Sequence, residues 1–241
     1  MRLSSVYLYE KIQQQYEIQE KGNLSGSDGY LRPFLRCGIS KEGKKSEDGF
    51  QTGHVYVIQG CDANECEPVN SKAENIFWIF CKRKDTVRAE ENGETVGKGA
   101  YIQVALDSLE EIAEFMNDVQ EIFDAADEWE RKIHNLMLEH AGMDRLLQVT
   151  SEFLQNPLTV MGLDFTFVAE AGSEYLPPRA RLYTDDGLNM EYVNALLQNE
   201  AYRDMADTHE YVMFPAYISG CRSMNRNLFV DGKATHRLVL T

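Results

Sequence analysis

Five cysteines, at 37, 61, 66, 81 and 221, and five histidines are the chain's stock of metal ligands, nucleophiles and near-neutral bases. Cys61 and Cys66 share an acidic stretch with four residues between them. No second Cys/His pair stands at zinc spacing, so ordinary thiols are expected there and no metal. The run Gly93-Glu94-Thr95-Val96-Gly97-Lys98-Gly99 has a phosphate loop's composition. It places three residues between the glycines where four are required, and Gly99 stands where a magnesium-holding Ser or Thr belongs, so it reads as a turn. Glu130 and His134 are one helical turn apart with His140 beyond, a spacing that serves packing as readily as ligation. Cys221 beside Arg222 could carry a lowered thiol pKa, which keeps open a hydrolase reading with Cys221 as nucleophile. No set of residues completes an active site, and neither catalysis nor a cofactor is expected.

The best candidate for binding is aromatic. Phe165, Phe167, Tyr211, Phe214 and Tyr217, with Arg179, Arg181, Cys221 and Arg222 close in sequence, could line a small-molecule cavity in which a few polar groups fix orientation. Aromatic residues at strand spacing also make plain core, and both readings stand at this point.

These residues need elements to position them. In 1–106 a helix through Val6, Tyr9, Ile12 and Tyr16 is expected to end near Gly22, followed by strands at 31–37, 54–58, 76–81 and 101–106. The run at 76–81 is apolar throughout, as strands buried on both faces are. Residues 107–141 contain no Pro or Gly and open on Asp107-Ser108, and so predict one long linking helix closed by Gly142. Leu109, Ile112, Met116, Val119, Phe123, Ala126, Ile133 and Met137 alternate steps of three and four, broken only at Glu130. Phe115, Ile122, Trp129 and Leu136 widen the stripe. Leu109 to Ile133, with Trp129, are the residues expected to link or dimerise.

In 142–241 the pattern predicts a helix capped by Asp144, a hairpin over 158–169, and a helix at 190–197. Strands are expected at 210–214 and 216–218, then a last hairpin turning at Asp231-Gly232. No internal repeat is evident. The fold class is α+β: a small N-terminal α/β domain (1–106), a linking helix (107–141), and a sensor-type domain with one antiparallel sheet (142–241), expected to be cut short at its C-terminal end.

Twenty-four Lys and Arg against 39 Asp and Glu leave a formal charge of −15, which disfavours general nucleic-acid binding by this chain. Ten of the acids fall between Asp107 and Glu130 with no base among them, a solvated helix face or a dock for a basic partner. No window is long and apolar enough to span a bilayer, and the first residues lack the apolar core of a signal peptide. A cytoplasmic protein without a membrane is expected.

The order of parts carries a likeness: Pro33-Phe34-Leu35 and Thr52 to Val57, the acidic run Val119 to Glu130 ending in Glu128-Trp129-Glu130, Leu146-Leu147 to Asn156-Pro157-Leu158, and Asn227 to Gly232. The chain resembles the sensor half of PucR/CdaR-like bacterial transcriptional regulators. The resemblance implies a GAF- or PAS-like sensor domain, a small-molecule effector, a homodimer and no catalytic residue. It also implies DNA binding only through a helix-turn-helix that is absent from this chain. A protein-interaction scaffold using the acidic helix, with no small ligand, is the alternative.

Overall fold

The computed structural model describes residues 2–25, 29–30, 33–37, 51–59, 75–82, 99–177, 180–205 and 208–241, with only the backbone of 35–37, 82 and 219. They form two compact units, Met1–Glu128 and Trp129–Thr241, and the fold class is α+β.

In the first unit, helix α1 (Ser5–Ile12) starts under a Ser4 side-chain cap. It stops well short of the expected Gly22. Ile18–Gly22 is instead strand β1, antiparallel to β5 (Ala100–Ala105), because its alternating side chains find a partner strand there. Strands β2 (Pro33–Cys37), β3 (Val55–Gln59), β4 (Phe77–Lys82) and β5 are parallel, in the sheet order β1-β5-β4-β3-β2. Val55 to Ile58 and Phe77 to Cys81 are all buried, so these strands have no solvent face, as their unbroken apolar runs demand.

A regularity hidden from residue identity appears here. The parallel strands begin at 33, 55, 77 and 100, and these four residues are paired in register. One residue further along, Phe34, Tyr56, Trp78 and Tyr101 make an aromatic ladder, with the Phe34–Tyr56 and Tyr56–Trp78 ring centroids each 5.7 Å apart. Each such ring pair contributes roughly 0.5–1.5 kcal/mol beyond its buried area.

Helix α2 (Leu109–Leu138) is the long helix of the sequence. Its start is a capping box: Ser108 Oγ accepts from the Glu111 N–H at 3.1 Å, and Glu111 accepts from the Asp107 N–H at 2.7 Å. Its end is not Gly142. His140 takes the left-handed conformation (φ 52°), and the Ala141 N–H reaches back to the Leu136 carbonyl at 2.9 Å. Ile112, Phe115, Val119, Phe123 and Ala126 are buried within this one chain, so this part of the stripe is core. Met116, Trp129 and Ile133 are half-buried and Leu109 is exposed. Phe115 meets Tyr16 edge to face with centroids 4.8 Å apart, and the Tyr16 hydroxyl donates to Asp118.

The second unit continues with α3 (Met143–Leu154), β6 (Leu158–Gly162), β7 (Phe167–Ala171), β8 (Tyr183–Thr184), β9 (Gly187–Leu188), α4 (Met190–Gln198), α5 (Glu200–Asp204), β10 (Tyr211–Phe214), α6 (Ala216–Ser219), β11 (Ser223–Val230) and β12 (Lys233–Leu240). Gly142, not Asp144, is the N-cap of α3; Asp144 lies in the first turn, where its charge favours the helix dipole. Trp129 stacks on Phe153 of α3 with centroids 4.9 Å apart. The expected strand at 216–218 is α6, which starts after Pro215 and ends where Gly220 turns left-handed (φ 91°). Among the described residues the main sheet is antiparallel, ordered β10-β11-β12-β6-β7. Its last hairpin turns through Asp231 and Gly232, both at positive φ as a type I′ turn requires.

Phe115→Ala is expected to cost about 3–5 kcal/mol, because it empties a fully buried aromatic site. Tyr16→Phe should cost less, about 1.5–3 kcal/mol, the net worth of one hydrogen bond to a charged group. Urea unfolding of the two variants checks the ratio, and equal losses would contradict this account of the contact.

Candidate functional site

Period-two alternation sorts the second unit's sheet into two unlike faces. On one, Leu158, Val160, Ala169 and Ala171 cluster with Leu147 of α3, and Leu228, Leu238 and Leu240 pack against them. On the other, Met161 and Val239 pack under Tyr192, Val193 and Leu196 of α4, Tyr202 of α5, and Met205. The second face is polar where it crosses β11. Ser223, Asn225 and Asn227 fall on it at i, i+2 and i+4, each no more than 2% exposed.

Arg237 of β12 pairs directly with Asn227 and is 4% exposed. Its Nε donates to Asn227 Oδ1 at 3.0 Å, while Asn227 Nδ2 donates to the Met205 carbonyl at 2.6 Å. The guanidinium carbon lies 4.4 Å from the Tyr202 ring centroid, a cation–π placement. Burial pulls the Arg237 pKa below its ordinary value, with the nearby Tyr202 phenol opposing. This polar network was missed in the sequence, where Asn and Arg read as surface; the only available signal was the period-two spacing of Ser223, Asn225 and Asn227.

Beside the network is a recess. Thr159, Glu170, Ser173, Arg181, Asn225 and Thr241 supply its polar lining; Met161, Leu176, Ala180, Leu182, Tyr192, Leu196 and Val239 supply the apolar part. Its interior admits about one water. Arg181 is held in place by two of its own N–H groups: Nε donates to the Leu176 carbonyl and Nη2 to the Glu174 carbonyl, both at 2.8 Å. Asn225 Nδ2 donates to Ser223 Oγ at 3.3 Å. Gly172, next to the segment that closes the recess, has φ 73°, and a Cβ there would lie 2.6 Å from Ser151 Oγ, so only glycine fits.

Of the eight residues expected to bind a ligand, the seven described do not gather. Of them only Arg181 lines the recess. Phe165 and Phe214 flank Tyr202, with ring centroids 6.1 and 5.8 Å from it, and belong to the core. Phe165 is not in a strand; it sits in the turn before β7 with φ 65°. Phe167 and Tyr211 are exposed, as is Arg222; Cys221 is half-buried; Arg179 lies outside the described residues. Cys61, Cys66 and the run 93–98 also lie outside them. Among the described residues no group of acids, histidines and cysteines could hold a metal ion, and no helix is long and apolar enough to cross a membrane. Compared with models of known protein families and with curated proteins, the chain matches none.

Burial pushes two tyrosines up to about 12: Tyr101, which also donates to Glu20 at 2.7 Å, and Tyr183, which also lies near the charges of Glu170 and Asp164. Unfolded tyrosines ionise near 10. Between about pH 10 and pH 12 the unfolded chain therefore loses protons that the folded chain keeps, and stability falls as pH rises. Denaturant midpoints measured across that range should decline, and less steeply in Tyr101→Phe. For the polar network, Asn227→Leu strands the Arg237 Nε–H, at about 1–3 kcal/mol, while the Met205 carbonyl keeps the Thr208 N–H at 3.2 Å. The double change Asn227→Leu with Arg237→Leu should recover part of that loss in the same assay. A double variant no more stable than the single would show that the two side chains do not act as a pair.

Proposed function

We propose that the chain is the regulatory region of a cytoplasmic transcriptional regulator of the PucR/CdaR-like kind. Its second unit acts as a GAF- or PAS-like sensor of a small-molecule effector, in a regulatory and not a catalytic role. DNA binding belongs to a helix-turn-helix outside these residues.

The observation that carries this reading is the polar face of the antiparallel sheet beside an open recess. Ser223, Asn225, Asn227 and Arg237 are buried at positions where an apolar sheet-to-helix core would need no polar group. Oriented polar groups next to apolar walls are what recognition of a small molecule needs. Helix α2, which contributes residues to both units, would carry the effector's state along the chain. For the homodimer of this reading, the exposed apolar residues of α2 available to a second copy are Leu109, Met137 and Leu138.

The test is a thermal-shift screen of the whole chain against a metabolite library. An effector at a hundred times its Kd adds about 2.7 kcal/mol to native-state stability. A saturable rise that disappears in Asn225→Leu supports the proposal. A blank screen together with salt-sensitive association with a polycationic peptide would replace it with the scaffold reading, in which the exposed Glu110, Glu114, Glu121 and Asp124 of α2 form the dock.

A further inference from the structure

Among the described residues the antiparallel sheet of the second unit has two edges, and they are unlike. On edge strand β7 the register to β6 shifts between Ala169 and Phe167, and Glu170 brings a charge. A bulge and a charge are ordinary defences of an open edge. Edge strand β10, Tyr211-Val212-Met213-Phe214, has neither: it is uncharged, contains no proline, and pairs with β11 at four successive positions without a shift. Alternate residues along it turn their N–H and C=O away from β11. Tyr211 and Met213, on one face by the period of two, are 59% and 55% exposed. Opposite charges mark the two ends of the strand. Glu210 stands before Tyr211, and Arg222 stands before Ser223, the partner of Phe214. Both are exposed, and neither side chain has an ion-pair partner among the described residues.

We infer that β10 is the seam of a homodimer: two copies of the chain pair β10 with β10, antiparallel, and join their sheets into one. This goes beyond the reading above, holds whether or not an effector binds, and sets the pairing at β10 instead of α2. A two-fold axis makes such an edge its own complement, because residue i of one copy faces residue j of the other and j faces i. Directly opposed residues share a face of the sheet, so the axis passes through a residue. With the axis at Val212, Tyr211 of each copy lies opposite Met213 of the other, a sulfur–aromatic contact made twice. With the axis at Met213, Pro215 would enter the ladder, where it has no N–H to give. In the Val212 register Glu210 of each copy comes opposite Phe214 of the other, whose partner Ser223 is preceded by Arg222. An acid therefore meets a base at both ends of the seam, and this charge complementarity selects a second copy as the occupant. A parallel pairing would set like charge beside like.

Sedimentation velocity of the whole chain, from low to high micromolar concentration, is expected to show a monomer–dimer equilibrium that weakens as salt is added. Met213→Lys, which puts a charge on the seam, should weaken the dimer at least about tenfold. Glu210→Arg and Arg222→Glu each set like charges together at both ends and should each weaken it about tenfold; the two changes combined should restore it. The three positions are exposed, so the variants are expected to melt as the parent does. Should Met213→Lys fold poorly, the charge exchange alone decides. A parent chain that stays monomeric throughout overturns the proposal. So does a dimer that Glu210→Arg and Met213→Lys leave intact, or one lost only in Leu138→Glu, which would put the seam on α2. A double variant no better than the singles overturns the antiparallel pairing. None of these outcomes touches the effector reading, which the metabolite screen decides.

Discussion

A guanidinium taken out of water must find acceptors, and Arg237 finds one only when β11 and β12 pair in the register that sets it against Asn227. A slip of one residue would turn the cation to the other face and put Leu238 in its place among the polar groups. The same constraint reaches across the chain, since Asn227 is also bonded to the carbonyl of Met205 just after α5, tying the helical layer to the sheet. The end of α5 is thereby fixed on the sheet beside the apolar cluster that carries α4.

How much of this was legible depended on whether a residue's environment was local. The apolar run of β4 announced a strand with no wet face, and Asp231-Gly232 announced a tight turn because both positions need positive φ. Helix α2 was legible from its apolar stripe, but the stripe cannot say what covers it, and six of its residues are covered by the chain itself. Ile18–Gly22 was read as helix because its own sequence prefers neither state, and its partner lies some eighty residues away in β5. At 140–144 the sequence offered the conventional residues for stopping and starting a helix, and the chain used neighbouring ones: His140 for the stop and Gly142 for the start.

The candidate site was the least legible part for a physical reason. Aromatic residues attract suspicion as ligand contacts, yet they bury the most area and so go first to the core, as Phe165 and Phe214 do. Asparagine and arginine are read as surface because burying them is costly, so a strand carrying them inward leaves no trace but its alternation. Arg181 was recognised for its charge alone; what makes it useful, its orientation by two main-chain carbonyls, exists only in the fold.

The equal stepping of β2, β3 and β4 gives this part of the first unit a modular grammar. Phe34, Tyr56 and Trp78 stand at the same rung of successive strands, and the strands that carry them start 22 residues apart. Excising 55–76 as a cassette would bring Phe34 opposite Trp78 with every side chain still on its own face, and duplicating it would add a rung of the same kind.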